Sequence, residues 1–280
     1  MEWFLEPFAL GFQQRALIGG VLAGLMCAVV GTWLVLRGMS FFGDAFVHGV
    51  LPGIAVAVVF DVNPILGAAV AAAVMVLAIE VVHRQTALSE DTSIGLLFVG
   101  MLALGVVIMS RLDNYAGSLT SILFGDALGV TPSDLVWQGV LVVIIVGVAT
   151  MLYRPLLALA FNREKAQMWG LQPKRTHAAL LILIAASVIG SYQSVGTLLV
   201  FGLLVGPPAT AALIARTVPR MMLLAAVIAV VSVWLGLTLS YHLRTAGSAT
   251  MAIMPIIFFF IVLAVTRLRR RRPEAVDSHA

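Results

Sequence analysis

Asp44 and His48 lie in the stretch FFGDAFVHGVLPG, residues 41–53, and stand four residues apart in a run that otherwise reads as lipid-soluble. On a helix an i, i+4 pair shares one face, so a carboxylate oxygen and an imidazole nitrogen converge on the same space. Imidazole suits zinc and other transition metals, and a carboxylate adds a harder donor that manganese, zinc and ferrous iron accept. The pair is half of a divalent-metal site. A second reading stays open at this point, in which the two side chains bond each other or a neighbouring helix, as buried polar groups in membranes do. Pro52 and Gly53 follow directly, loosening the helix and freeing carbonyls. Such backbone is tolerated at membrane depth only inside protein or beside a water-filled cavity.

The elements that must position this pair follow from composition. Of the 280 residues 61% are hydrophobic and 11% charged, and the mean hydropathy is +1.07. That much apolar surface cannot be hidden in one soluble core. The apolar runs of roughly 18 to 22 residues match the length a helix needs to cross about 30 Å of hydrocarbon. Transmembrane strands would be about half as long and would alternate in polarity. The expected fold is all-α, a polytopic transmembrane helical bundle in one domain. Candidate spans are 16–36, 42–60, 65–82, 93–110, 135–153, 178–192, 196–215, 221–240 and 249–266. GSYQSVGT and GPP inside 178–215 could break a helix or mark a re-entrant turn, so eight spans is the alternative to nine.

Basic residues set the expected orientation, because short cytoplasmic loops collect Lys and Arg. The tail RLRRRR at 267–272 and the loop from Arg154 to His177 are the richest, and both are expected in the cytoplasm. Arg37, HRQ at 83–85, Arg216 and Arg220 then fall on the same side, DVNP at 61–64 and the stretch 111–134 on the other, and Arg111 is the main misfit. The start, MEWFLEPF, carries Glu2 where a secretory signal would be basic, so no cleaved signal is expected. The single Cys27 is expected to be a small buried apolar residue. A net charge of +4 and a pI near 9.7 are explained by basic residues at an anionic lipid leaflet, and no nucleic-acid partner is implied.

The stretch LRGMSFFGDAFVHGVLPGIA, Leu36 to Ala55, resembles the signature of the permease subunits of ABC transporters that import manganese, zinc or iron. The resemblance recurs at SEDTSIGLLF (89–98), LALG (102–105), ILFGDAL (122–128), QSVGTLLV (193–200), GPPATA (206–211) and AGS (246–248). It implies a metal-passing role for Asp44 and His48, with pathway kinks at Pro52, Gly53, Gly206 and Pro207. Val47 stands where that family has Ser, Gly49 where it has Ala, and Pro208 where it has Ala. The cargo it implies is a divalent metal ion, zinc or manganese and possibly ferrous iron, with no permanently bound cofactor. The partners it implies are a second permease copy, cytoplasmic ATP-binding subunits and an extracytoplasmic metal-binding protein, in the inner or plasma membrane of a bacterium.

The segment PLLALAFNREKAQMWGLQPKRTH, 155–177, reads as a short amphipathic helix closed by glycine, which by its physics alone would lie on the membrane surface. The resemblance makes it a dock for the ATPase through Arg163, Glu164, Ala166 and Gly170. The chain itself is not expected to hydrolyse ATP. A phosphate-cradling loop needs Lys followed by Ser or Thr, and the only lysines, Lys165 and Lys174, precede Ala166 and Arg175. Asp113 and Asp126 read as loop or docking-surface carboxylates, with metal capture as the alternative. The competing functional class is an ion-coupled secondary transporter in which Asp44 and His48 relay protons without an ATPase.

Overall fold

The computed structural model describes residues 6–86, 90–111, 129–161, 167–168 and 170–271, and among these it contains helices and turns but no strand. A 3-10 turn, Glu6–Ala9, precedes ten helices: α1 Gly11–Leu36, α2 Ser40–Gly49, α3 Leu51–Val59, α4 Pro64–Gln85, α5 Glu90–Met109, α6 Pro132–Met151, α7 Tyr153–Phe161, α8 Pro173–Ala212, α9 Val218–Leu243 and α10 Gly247–Arg271. Among the described residues eight helices are long and apolar enough to cross a membrane, with α2 and α3 together making one of them. The expected all-helical transmembrane bundle is the observed one.

Local chemistry sets several of these boundaries. Pro64 and Pro132 open α4 and α6, where a missing N–H costs nothing. The Asn63 side chain accepts from the Ile65 N–H at 2.9 Å, and Thr131 and Asp134 form a capping box. α1 ends in a Schellman motif: Met39 N–H donates to Leu34 O and Gly38 N–H to Val35 O, both at 3.0 Å, with Gly38 at φ +67°.

α1 is the axis of the bundle, packed by α6, α8 and α9. One stripe of it is small. A Cβ on Gly24 would sit 3.2 Å from the Cβ of Ala229, and one on Gly20 would press on Val233, while Ala28 packs with Ala225. Small residues every four positions let two backbones approach and gain dispersion where no hydrophobic drive is available. The α1 window and the α2–α3 window are each 67% buried, against 17% for α6 and 11% for α10. The helix bearing Asp44 and His48 is therefore central, and α6 and α10 are peripheral.

The 178–215 region answers the question of eight spans or nine. α8 is 40 residues long but is interrupted at Gly196, whose φ 76°, ψ 162° is not helical. Cys27 Sγ lies 3.8 Å from Ser187 Oγ and 3.9 Å from Val200 O. Thirteen residues of straight helix would separate those levels by about 20 Å. The chain therefore doubles back, and the Leu199–Ala212 arm returns antiparallel to the first half of α8. Among the described residues there are eight full-length spans and one short returning arm. Ala211 packs with Ala28 and against Leu36, which brings the arm back to the end of the bundle where Arg37 meets His177.

Candidate metal site

Most of α2 is buried: Phe42, Gly43, Ala45, Phe46, Val47 and Gly49 all face protein. Its remaining stripe is Phe41, Asp44 and His48, with Asp44 28% and His48 18% exposed at the side chain. Three neighbours fix the helix in this rotation. A Cβ on Gly43 would come within 2.9 Å of Leu204 Cδ2 on the returning arm, and one on Gly49 would collide with Met75 Sδ of α4. Phe98 of α5 stands beside the pair, its ring 5.9 Å from the rings of both Phe41 and His48. Gly49 is thus required by its neighbour. Val47, fully buried, is turned into the core.

His48 Nε2 and Asp44 Oδ1 are 3.5 Å apart. Bonds of about 2.0–2.2 Å to a tetrahedral ion place two donors about 3.4 Å apart, so the separation of these two atoms matches that of two ligands of one ion. An ion on Nε2 leaves the ring proton on Nδ1, which is buried and has no hydrogen-bond partner among the described residues. The same residues contain no group of three or more His, Cys, Asp or Glu side chains able to hold a metal. Among the described residues, one chain offers this pair of donors on a partly exposed face.

The other expected residues are dispersed. Pro52 is the second residue of α3, and a Cβ on Gly105 of α5 would lie 3.2 Å from its nitrogen. Gly53 packs backbone to backbone against Gly67 of α4. Gly206 lies under Pro255 of α10, and Pro207 is buried in the arm. Pro207 and Pro208 deprive the carbonyls of Leu203 and Leu204 of their helical donors. The Leu204 carbonyl abuts Gly31 of α1, where a Cβ would collide with it. The structure thus joins the arm to the Asp44–His48 helix through Leu204 and Gly43, a contact that GPP alone did not reveal. Gly170 adopts φ +71° in the turn before α8, as a closing glycine should. Arg163, Glu164, Ala166, Asp113 and Asp126 lie outside the described residues. The sequence also gave no sign of Phe98 beside His48, since aromatic residues are ordinary in apolar spans.

Eight apolar spans, a reversing arm and a carboxylate–imidazole pair on the open side of a central helix define a multi-pass membrane protein of the transport type. Residues 9–266 match the model of the ABC 3 transport family, and the chain belongs to that family. It is 33% identical over 270 residues to a probable iron transport system membrane protein of Haemophilus influenzae, covering 96% of this chain and 99% of the relative. It is 34% identical over 251 residues to the manganese transport system membrane protein MntC of Listeria innocua, covering 90% and 89%. Among solved structures it resembles PsaBC from Streptococcus pneumoniae in complex with Fab, with a TM-score of 0.84, 29% identity, and coverage of 93% of this chain and 94% of that one.

Proposed function

We propose that this chain is the permease subunit of an ATP-driven importer that passes a divalent transition-metal ion, manganese, iron or zinc, through a pathway lined by Asp44 and His48. One observation carries the reading: two donors spaced for a single ion lie on the partly exposed face of a central helix, with no further ligand group among the described residues. A charged side chain at membrane depth costs about 2.5–3.5 kcal/mol on insertion scales, so it belongs to a cavity, a partner or a pathway. A second copy of the chain brings another Asp and His to face the first pair. The relatives named for iron and manganese agree with this donor set, since carboxylate and imidazole serve both metals.

In this reading the extracytoplasmic binding protein delivers the ion, Asp44 offsets its charge and His48 supplies nitrogen as bulk water is shed. An open, two-donor site favours transit, because an ion held in a closed four-ligand cage would not leave. The 155–177 segment, with Arg163, Glu164, Ala166 and Gly170, docks the separate ATPase, so that it and the basic C-terminus face the cytoplasm of a bacterial inner or plasma membrane.

The test is uptake of radioactive manganese and zinc by the full complex, normalised to inserted protein. Asp44→Asn keeps shape and hydrogen bonding but loses charge, and His48→Gln loses the imidazole, so each should lower uptake at least tenfold. His48→Asp should retain manganese transport better than zinc. Undiminished uptake by both Asp44→Asn and His48→Gln would return the pair to a purely structural role.

A further inference from the structure

The Arg37 end of α1 makes two contacts one helical turn apart. Fully buried Trp33 meets Tyr153 of α7 edge to face, with ring centroids 5.5 Å apart and planes at 68°. Arg37 Nη1 lies 2.8 Å from His177 Nδ1 of α8. Trp33 and Arg37 are i and i+4, so they share a face of α1. Tyr153 stands just before the 155–177 segment and His177 is its last residue, on α8, so the two flank the proposed docking residues Arg163 to Gly170 in the chain.

The chemistry of the polar contact is directional. A guanidinium has donors only, so Arg37 donates and His177 must present a lone pair at Nδ1. Beyond Arg37 the Schellman turn leaves little slack: Gly38 and Met39 are each bonded back to the last turn of α1, and α2 starts at Ser40. Asp44 comes four residues later. A short, hydrogen-bonded connection thus joins the contacts at the two ends of the segment to the base of the helix that carries Asp44 and His48.

We propose that Arg37–His177 and Trp33–Tyr153 form a clasp that couples the ATPase-docking segment to the Asp44–His48 helix. This rests on the reading of 155–177 given above. Arg37 and His177 are positioning residues, which touch neither the ion nor ATP. Their loss should separate hydrolysis from transport.

The experiment compares His177→Asn with His177→Leu in the complete transporter, reconstituted with its ATPase and binding protein. Asn offers an amide oxygen near the place of Nδ1, and Leu is of similar size without an acceptor. Copurification of the ATPase, basal hydrolysis, and manganese and zinc uptake per ATP are measured. His177→Leu and Arg37→Ala should keep copurification and basal hydrolysis but lower uptake per ATP roughly tenfold, the loss expected when a charge-assisted hydrogen bond is removed. His177→Asn should restore most of it, and His177→Leu/Arg37→Ala should be no worse than either single variant. Equal uptake per ATP in His177→Leu and His177→Asn overturns the clasp, as does a double variant whose loss is the product of the singles. The docking reading has its own control, Glu164→Lys with Gly170→Trp. Unaltered copurification and metal-stimulated hydrolysis there would remove the dock itself, whereas a disrupted dock with an unaffected His177→Leu removes only the clasp.

Discussion

Gly53 of α3 and Gly67 of α4 stand back to back, each positioned so that a Cβ added to it would collide with the carbonyl of the other. The contact holds together two helices at the margin of the site, one of them continuous with the Asp44–His48 helix. Ala71 and Ala57 flank the crossing, so neither neighbour can yield by rotating a long side chain.

Alanine at either glycine should therefore push the backbones apart. Overpacking of this kind costs about 1–3 kcal/mol. The expected result is a lower unfolding temperature in detergent for Gly53→Ala and for Gly67→Ala, with the double variant destabilised by less than the two effects added, since the first substitution already opens the crossing. Additive losses would show that the two residues act independently.

Gly196 makes a second prediction. Its φ 76°, ψ 162° falls in a region open to glycine almost alone, at a cost of about 1–3 kcal/mol for other residues. Gly196→Ala should lower thermal stability or straighten α8, and straightening would move Val200 away from Cys27. Alkylation of Cys27, buried in the folded chain, reports this: the rate should rise in Gly196→Ala and stay slow in Gly170→Asn, whose αL geometry asparagine tolerates.

Sidedness is the third. Single cysteines at Ser118 and Gln172 in a Cys27→Ala background should label from opposite faces of the membrane, Gln172 from the cytoplasm. Labelling of both from one face would contradict eight spans with a returning arm, because an odd number of crossings separates the two positions in that arrangement.

The sequence made some of this visible and hid the rest for physical reasons. Apolar runs of helix length gave the fold class, because a bilayer demands satisfied backbone along the whole crossing. The i, i+4 spacing of Asp44 and His48 was readable for the same reason, since it depends on one helix alone. The reversal at Gly196 was foreshadowed only as a possible break: the chain has 25 glycines, and nothing local tells which one takes a positive φ. Arg37 and His177, 140 residues apart, and Phe98 beside His48 are products of packing between helices, which no period in the sequence encodes.

The returning arm is too short to cross a bilayer by itself. Leu199–Ala212 is 14 residues, about 21 Å of helix, where the hydrocarbon is about 30 Å thick. Leu199, Val200, Leu203, Leu204 and Ala211 are fully buried, so the arm faces neighbouring helices and the bilayer need not thin to meet it. The arm therefore stops short of a full crossing while walled by protein, so the backbone groups at its two ends are left to neighbouring helices or water and not to lipid. It meets the Asp44–His48 helix at Leu204 and Gly43, on the side of that helix turned away from its two donors.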